Sequence, residues 1–486
     1  MHWRRFLAPC LAAVCLVGVA RHSDAQPSAP SSGWTLSVRN LTRAEVWRFF
    51  TPPPSGGNPD SEFIGNRLQV EARRVWPRLT LTVVGQHVTL AGLPERATGP
   101  GPLGTGALYF DQGRRTRSLQ QVSLRALHVR AANVGGRVDL QLGRMPYASG
   151  AEAASGSPVV ESVKRMRLDA RLIGEFEWSL HQRTFDGVRA DWQRPRWRVT
   201  GVAFMPTQGG FAPRLTRTMT DVRVFGASVT TQGAAAQRSQ VQGFVFRYLD
   251  SRDVTQRPDN TGLAARRADV RITTVGGSAV GTRTFGATTF DGLAWTAVQR
   301  GTWFGQDHRA WSMALEAGAQ WNAIRWRPWV RAGWLHASGD EDRSDATHGT
   351  FFPMLPTMRR YVQTTLWSAM NINDRFVQAL LRPSSSATLR LDVHRVQLAS
   401  PADLWYAGSG ATLRQGSVFG YAGRSSSDQR DLGTSVEISA DYAMTPRWSV
   451  NVFVGRLSAG PVVSGLFRGD RSWFFYGEHV WRWATR

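Results

Sequence analysis

Short segments in which apolar and polar residues alternate recur along the chain, and this pattern constrains the fold more than any other feature. From Trp448 to Val454 every second residue is Trp or Val, and residues 436–442 alternate in the same way. Successive side chains of a β-strand point to opposite faces. The two segments are separated only by a short turn around Pro446, so the pattern predicts neighbouring antiparallel strands.

The N-terminus has the features of a secretory signal peptide. Basic residues precede an apolar run over residues 6–20, and small residues lead to a cleavage site after Ala25. We therefore predict a signal peptide at 1–25, a flexible Pro/Ser leader at 26–33 and a single domain at 34–486. Both cysteines of the chain lie in the signal peptide, so the mature protein has no disulfide and no Cys-ligated metal.

The lengths of the connections favour a transmembrane barrel over a soluble secreted fold. No mature segment has the roughly 18 consecutive apolar residues that a transmembrane helix needs. Segments 64–76 and 79–90 are joined by a short connection, as are 122–132 and 137–142, whereas 91–106 is long and rich in Gly and Pro. Alternating short and long connections are typical of outer-membrane barrels, which have tight periplasmic turns and longer outer loops.

The number of alternating segments gives the size of the barrel. A soluble β-sandwich also alternates, but in a barrel the apolar face meets lipid and the polar face lines the lumen. Segments at roughly ten-residue spacing give about 16–18 strands. On this basis Arg223 and Arg271, each between two aliphatic neighbours, are predicted to face inwards. Aromatic residues near predicted strand ends suggest interfacial girdles: Trp303, Phe304, Trp326, Trp329, Trp334 and residues 473–476.

We therefore predict an all-β fold, a transmembrane antiparallel β-barrel of about 18 strands with short periplasmic turns and long extracellular loops. In lipid every backbone polar group must be bonded within the protein, so the sheet must close. The aromatic segment 472–483 is suited to pair with the first strand, predicted at 35–50.

The charge of the chain is strongly positive and is carried by arginine. The formal net charge is +23, and Lys164 is the only lysine. A genome rich in G and C produces such a bias without any function. The arginines are densest between Gly143 and Arg189, in segments that otherwise alternate like strands.

Several short segments resemble the alginate export family of outer-membrane barrels. The most specific is the Arg-Thr-Phe-Asp-Gly-Val-Arg run at 183–189. The others are residues 142–146, 171–174, Trp178, 338–342, 350–356 and 403–406. The resemblance implies an 18-stranded monomeric barrel with an electropositive lumen that passes a polyuronate outwards.

The resemblance also selects candidates for a lumen constriction. Arginine offers a planar donor fork that matches a carboxylate, while transport requires a weak, multi-site grip. The candidates that match the family motif are Arg144, Arg183, Asp186 and Arg189, followed by Arg165, Arg167 and Arg171. The alternative is that these charges are satisfied ion pairs that stiffen the wall, where an exposed pair contributes about 0–1 kcal/mol.

Three loops have open interpretations. By alternation, residues 165–181 form two strands, whereas the resemblance places part of them in the lumen; we expect a strand followed by an inward segment. Residues 91–117 and 339–360 are long enough to fold inwards as lids or gates. Asp340, Asp342 and Asp345 are the kind of carboxylate cluster that Ca²⁺ takes, but the EF-hand pattern is missing and a solvated acidic loop is the commoner case, so no cofactor is expected.

The sequence thus predicts a bacterial outer-membrane pore that exports an anionic polysaccharide such as alginate. The alternatives are a general anion-selective porin and an outer-membrane enzyme with a Ser–His pair on the barrel exterior, for which no convincing pair is found. The expected partners are outer-membrane lipid, the polysaccharide and a periplasmic scaffold. No nucleic-acid partner is expected, because the chain is exported and has no Lys-rich run.

Overall fold

A computed structural model describes residues 33–54, 56–98, 107–112, 115–210, 217–232 and 238–485. The predicted signal peptide and nearly all of the predicted leader lie outside these residues.

Eighteen long strands form the wall, and each pairs antiparallel with the next one along the chain. The last strand pairs with the first from Ser37 opposite Ala484 to Arg48 opposite Trp473, so the sheet is closed and has no edge. The strands are β1 Trp34–Arg48, β2 Asp60–Val75, β3 Leu79–Ala91, β4 Ser118–Val134, β5 Val138–Met145, β6 Phe185–Gln193, β7 Trp197–Pro206, β8 Val222–Thr231, β9 Ser239–Asp250, β10 Val270–Phe285, β11 Thr288–Trp303, β12 Gln306–Trp321, β13 Trp329–Ala337, β14 Ile372–Ser384, β15 Ala387–Gln397, β16 Asp431–Thr445, β17 Trp448–Ala459 and β18 Arg471–Ala484. The predicted fold class is confirmed.

The two ends of the barrel differ in the length of their connections. Turns such as 76–78, 286–287 and 446–447 lie at the end that also holds both ends of the strand wall, which is therefore the periplasmic end. The opposite, extracellular end carries most of the long loops, including 92–117, 146–184, 207–221, 251–269, 338–371 and 398–430. One exception at that end is the two-residue turn at 304–305 between β11 and β12.

The loops contain the remaining secondary structure. Helices α1 (Ala107–Gln112), α2 (Pro158–Arg167) and α3 (Pro461–Ser464) are short, and Met358–Arg360 forms one 3₁₀ turn. Short strand pairs join loops to one another or to the wall: Asp253–Val254 with Gln415–Gly416, Trp405–Gly408 with Tyr421–Arg424, and Thr347–His348 with β12. Within the described part of the chain, no helix is long and apolar enough to cross a bilayer.

The core of the protein lies inside the barrel. Loops 146–184, 338–371 and 398–430, which we call the plug, fold into the lumen and are largely buried. Two of them run side by side, because the Leu355 N–H donates to the Leu172 carbonyl at 2.9 Å and the Gly174 N–H donates to the Leu355 carbonyl at 2.8 Å. These buried backbone groups are thus paired, as a water-poor interior requires.

The outer face carries the apolar residues, as predicted. Leu142, Val122 and Val298 are exposed by 63%, 78% and 53%, while their neighbours on the same strands point into the lumen. Near the extracellular end the prediction for Arg223 and Arg271 was wrong: both face outwards, and their aliphatic neighbours are buried inside. There the lumen is filled by the plug, so the inward face must be apolar.

Two further expectations need correction. Residues 158–167 form helix α2 where a strand was predicted from residue 165; Ser157 caps the helix by accepting a hydrogen bond from the Val160 N–H at 3.3 Å, and Pro158 begins its first turn. Of the residues assigned to girdles, Trp303 and Trp329 are buried in the lumen, whereas Trp326 is exposed. Alternation in a short segment does not reveal caps or the burial of an aromatic side chain.

Candidate solute path through the barrel

A cavity of about 930 Å³ occupies the periplasmic half of the lumen; we call it the vestibule. Strands β1–β5 and β15–β18 form its wall, and near the periplasmic turn at 76–78 it is lined by Arg73 and Thr80. The plug forms its roof, with Glu175, Trp178, Thr357, Arg359, Arg360 and Gln363 facing it. The vestibule therefore lies on the periplasmic side of the plug and ends at it.

The lining of the vestibule is rich in charge, with nine arginines and five carboxylates and hence an excess of four positive charges. The arginines are Arg39, Arg43, Arg67, Arg73, Arg125, Arg130, Arg359, Arg360 and Arg390, and the carboxylates are those of Glu71, Glu175, Glu177, Asp441 and Glu478. Low-dielectric walls around charges of one sign focus the field and raise the local concentration of the opposite ion.

Five of these arginines form ion pairs that brace the wall and the roof. Arg43 pairs with Glu45 at 2.9 Å and Glu478 at 3.3 Å. The pairs of the other four join Arg125 to Glu175, Arg130 to Asp139 (2.5 Å), Arg360 to Asp169 and to Glu177 (2.8 Å), and Arg390 to Asp392 (2.5 Å). Their charges are largely neutralised locally.

The other four, Arg39, Arg67, Arg73 and Arg359, have no carboxylate within ion-pairing distance in the described part of the chain. Arg67 donates to the Ser179 carbonyl of the plug at 3.2 Å, and Arg39 lies directly opposite Arg482 across β1 and β18. Like charges directly opposite one another destabilise a sheet, so this pair of arginines has a cost in stability. Because no carboxylate of the described residues neutralises them, Arg39, Arg67, Arg73 and Arg359 direct positive charge at the vestibule.

The roof is held by stacking. The Trp178 indole lies between the Arg43 guanidinium, 3.4 Å from the ring centre, and the Arg359 guanidinium, 3.3 Å from it. Arg359 also lies 4.7 Å from the ring centre of Tyr476. Aromatic faces attract a cation without cancelling its charge, so this contact joins the plug to the wall and leaves the roof positive.

A separate buried cluster fixes α2 to the wall. The Glu316 carboxylate on β12 accepts from Arg167 of α2 at 2.9 Å and from Arg331 of β13 at 3.0 Å, and Arg171 lies 3.6 Å away. Arg331 also pairs with Asp291, and all of these side chains are almost completely buried. A charge removed from water is stable only when it is paired, so each member depends on the others.

The predicted constriction residues of β5 and β6 are already paired. Arg189 lies opposite the vestibule residue Gln141 and faces the lumen, whereas Arg144 and Asp186 share the outward face of the wall with Leu127. Arg144 and Asp186 lie opposite one another across the two strands, and both of their hydrogen bonds are 2.7 Å long. Arg189 binds Asp191 at 2.8 and 3.0 Å. Arg183 is 1% exposed and donates to the Ser409 carbonyl of the plug at 2.5 Å.

The second group of candidates lies on and after α2. Arg165 is exposed in a side cavity of about 310 Å³ that Glu161, Lys164 and Asp169 also line. Arg167 and Arg171 belong to the Glu316 cluster. The seven candidates thus occupy several places in the plug and on both faces of the wall, and their contact with a solute stays a prediction.

The structure describes all of one predicted lid, residues 339–360, and part of the other, residues 91–117. Residues 339–360 fold into the lumen as part of the plug. In 91–117, helix α1 packs Tyr109 close to the plug, where its hydroxyl accepts from the Leu180 N–H at 3.2 Å; residues 99–106 and 113–114 lie outside the described residues. Both segments therefore contribute to the closure of the extracellular half.

The predicted Ca²⁺ ligands point in different directions. Asp340 is buried and its backbone N–H donates to the Asp403 carboxylate at 2.9 Å, whereas Asp342 and Asp345 cap the turns at Ser344 and Thr347. Burial, together with the charge of Asp403, raises the pKa of Asp340 to about 7. Among the described side chains, no group of three or more His, Cys, Asp or Glu is arranged to hold a metal ion.

The unpaired vestibule arginines were missed in the sequence. Arg39, Arg67 and Arg73 lie on β1 and β2, outside the segments that resemble a family. The sequence did contain a signal for them. The three arginines alternate with outward residues such as Val38 and Val70, and this alternation places all three on the lumen face.

A closed 18-stranded barrel with an apolar exterior, a polar lumen and long loops at one end is an outer-membrane pore. The family model for alginate export matches residues 110–465, and the chain belongs to this family. The protein is therefore located in the bacterial outer membrane.

Solved structures share the fold at low sequence identity. Pseudomonas aeruginosa OccK9 (OpdG) is 11% identical with a TM-score of 0.58, over 93% of this chain and 98% of that one. Acinetobacter baumannii OccAB2 is 7% identical with a TM-score of 0.57, over 94% and 100%. Pseudomonas aeruginosa OpdK with vanillate is 10% identical with a TM-score of 0.55, over 93% and 99%. No curated protein matches the sequence.

Proposed function

We propose that this pore carries an anionic polysaccharide of the polyuronate class out of the periplasm. The observation that carries the proposal is the vestibule, where Arg39, Arg67, Arg73 and Arg359 lack carboxylate partners in the described part of the chain. A chain of carboxylates entering from the periplasm meets these guanidinium groups before it reaches the plug. Arginine matches each carboxylate with two parallel hydrogen bonds.

The arrangement suits passage better than retention. The unpaired arginines are spread over β1, β2 and the plug, and carboxylates such as Glu71 and Glu478 lie among them. Several weak sites let a polymer move from one to the next, whereas one tight site stops it. Export also requires the plug to move, since it fills the extracellular half of the lumen. We further propose that the pore acts as a monomer and receives its cargo from a periplasmic scaffold.

A second candidate is a porin for small organic anions. The observation that favours it is the size of the vestibule, because about 930 Å³ lies within the range of cavities that hold a single small ligand. The similar OpdK structure contains vanillate, which is a small carboxylate, but that ligand belongs to that protein. Both candidates require a positive lumen and differ in the length of the solute.

Single-channel recording in planar bilayers, with oligouronates of graded length added to the periplasmic side, tests the proposal. Export of a polymer predicts current block that strengthens with chain length, as successive residues occupy successive sites, and little block by neutral oligosaccharides of equal length. Block by monomers that does not strengthen with length would favour the porin. Cation selectivity would contradict both.

A further inference from the structure

The outer surface carries a row of arginines near the extracellular end of strands β8–β12. The strand registers place Phe225, Arg247, Thr273, Arg300 and Arg309 side by side across the five strands. All five point away from the lumen, because the residues on either side of each are the more buried, inward-facing ones. Three of the five positions are therefore cationic on the outside of the barrel; we call Arg247, Arg300 and Arg309 the outer basic row.

The row lies at the upper boundary of the apolar band. The outward positions next below it are Val245, Val275, Val298 and Trp311, which are exposed by 41%, 49%, 53% and 42%. On β11 the band begins near Phe290, ten residues before Arg300, which is about 33 Å along the strand. With a strand tilt of about 40° this height is about 25 Å, the thickness of the lipid-facing band of such barrels.

Among the residues that the structure describes, the protein balances only one of the three charges in the row. In the described part of the chain, Arg247 and Arg300 have no carboxylate within ion-pairing distance; Arg247 donates to the Thr273 hydroxyl at 2.7 Å. Arg300 lies directly opposite Arg309 across β11 and β12, and Arg309 binds Asp307 at 2.5 Å. Two cations directly opposite one another repel, and an anion from outside the chain that binds Arg300 would relieve this repulsion.

One position further from the membrane, two more outward arginines extend the charge. Arg223 lies opposite Leu249, and Arg271 lies opposite the same residue from the other side. Arg271 is 56% exposed and pairs with Asp269 at 3.1 Å. The surface is thus cationic over two successive rows and apolar immediately below them.

We propose that the outer basic row binds the phosphate groups of a phosphorylated glycolipid in the outer leaflet, the lipid A class. Such a lipid places its phosphates directly above its acyl chains, at the height at which this surface changes from Val and Trp to Arg. Arginine binds phosphate through paired N–H donors, and Trp311 lies beside Arg309 to pack on the top of the acyl region. The inference rests on the barrel and its membrane location and is independent of the exported cargo.

The opposite end of the same strands supplies a matched control. Arg283 on β10 is also outward and exposed, but it lies near the periplasmic turn at 286–287, beside Phe285. It therefore faces the inner leaflet. Arg283→Gln removes the same kind of charge from a neighbouring strand at the wrong height.

Native mass spectrometry of the whole mature protein in a neutral detergent, with diphosphoryl lipid A or its dephosphorylated form added, tests the proposal. Charge-assisted hydrogen bonds of about 1.5–3 kcal/mol predict a loss of about tenfold or more in lipid A affinity for Arg300→Gln. A larger loss is expected for the triple variant Arg247→Gln/Arg300→Gln/Arg309→Gln, and wild-type affinity for Arg283→Gln. The dephosphorylated lipid should bind all variants equally weakly.

Three results would overturn the inference: equal affinity for the two lipid forms, an unchanged affinity in Arg300→Gln, or an equal loss in Arg283→Gln. Folding of each variant is verified by the mobility shift between unheated and boiled samples on a gel. If the triple variant does not fold, the single Arg300→Gln substitution decides the question alone.

Discussion

Arg359 stacks on Trp178, with its guanidinium carbon 3.3 Å from the centre of the indole ring. Arg43 of β1 covers the other face of the same ring at 3.4 Å. Because Trp178 and Arg359 belong to two different plug loops and Arg43 to the wall, this stack joins three parts of the chain at the roof of the vestibule. Arg43 is also paired with Glu45 and Glu478, whereas Arg359 is held by aromatic rings and keeps its positive charge at the roof.

Trp178→Ala is expected to loosen this roof. Each cation–π contact stabilises the closed arrangement by about 0.5–2 kcal/mol, so losing two of them should raise the open fraction by about tenfold. Single-channel recording at constant voltage measures the change. Trp326→Ala, in the exposed periplasmic turn before β13, is the control. An open fraction equal to that of the wild type would show that the stack does not hold the plug.

Arg39→Gln, Arg67→Gln and Arg73→Gln are each expected to reduce the preference for anions, because each removes a charge that no neighbouring carboxylate cancels. Reversal potentials in a salt gradient measure this preference. Arg283→Gln, on the lipid-facing surface, should leave the potential unchanged. If all three vestibule variants keep the wild-type potential, the selectivity of the pore lies elsewhere.

The arginines that match the family motif allow a parallel test. If Arg144, Arg183 and Arg189 lie on the solute path, Glu at each position should also reduce the preference for anions. Their present partners, Asp186, the Ser409 carbonyl and Asp191, predict smaller effects than those of the vestibule variants. Unchanged reversal potentials for all three would remove them from the path.

Glu316→Gln is expected to destabilise the protein by about 3–5 kcal/mol, since it leaves Arg167, Arg171 and Arg331 buried with less negative charge. The urea midpoint of unfolding in detergent, followed by Trp fluorescence, measures the change. Glu62→Gln, at a 71% exposed carboxylate, should move the midpoint little. A similar midpoint for both variants would show that the cluster is not needed for stability.

The carboxyl group of Asp340 predicts a pH dependence. Its folded-state pKa of about 7 lies above the ordinary value of 3.8, so the folded protein retains a proton that the unfolded chain loses. Stability from this group is therefore greatest at low pH and falls as the pH rises from about 4 to about 7. When Asp340 ionises, its negative charge lies beside the Asp403 carboxyl group and adds repulsion between two plug loops. Asp403 is held in place because it accepts hydrogen bonds from Thr350 at 2.5 Å and from Tyr406 at 2.6 Å.

We therefore expect the open fraction to increase between pH 5 and pH 8 and Asp340→Asn to flatten this profile. Asp342→Asn, at an exposed carboxylate in the same loop, is the control and should keep the wild-type profile. Channel recording over this pH range measures both. A profile that is the same in all three proteins would contradict the assignment to Asp340.

Much of the wall was predictable because strand structure is local. Alternation along 436–442 and 448–454 follows from the two-residue period of a strand and requires no knowledge of distant residues. The same holds for the asymmetry of the connections, which follows from where Gly and Pro occur. The rule failed at Arg223 and Arg271, because the plug supplies an apolar environment that only a distant part of the chain could provide.

The composition and periodicity of this chain were sufficient for a closed barrel in the outer membrane, with a positive charge carried by arginine. Which arginines are neutralised depended on the tertiary structure. Arg167 meets Glu316 across a long stretch of sequence, whereas Arg39 meets Arg482 because closure brings the first and last strands together. Electrostatic interactions depend on distance in space and on burial, so the charge pattern of the lumen emerges only once the sheet has closed and the loops have folded into it.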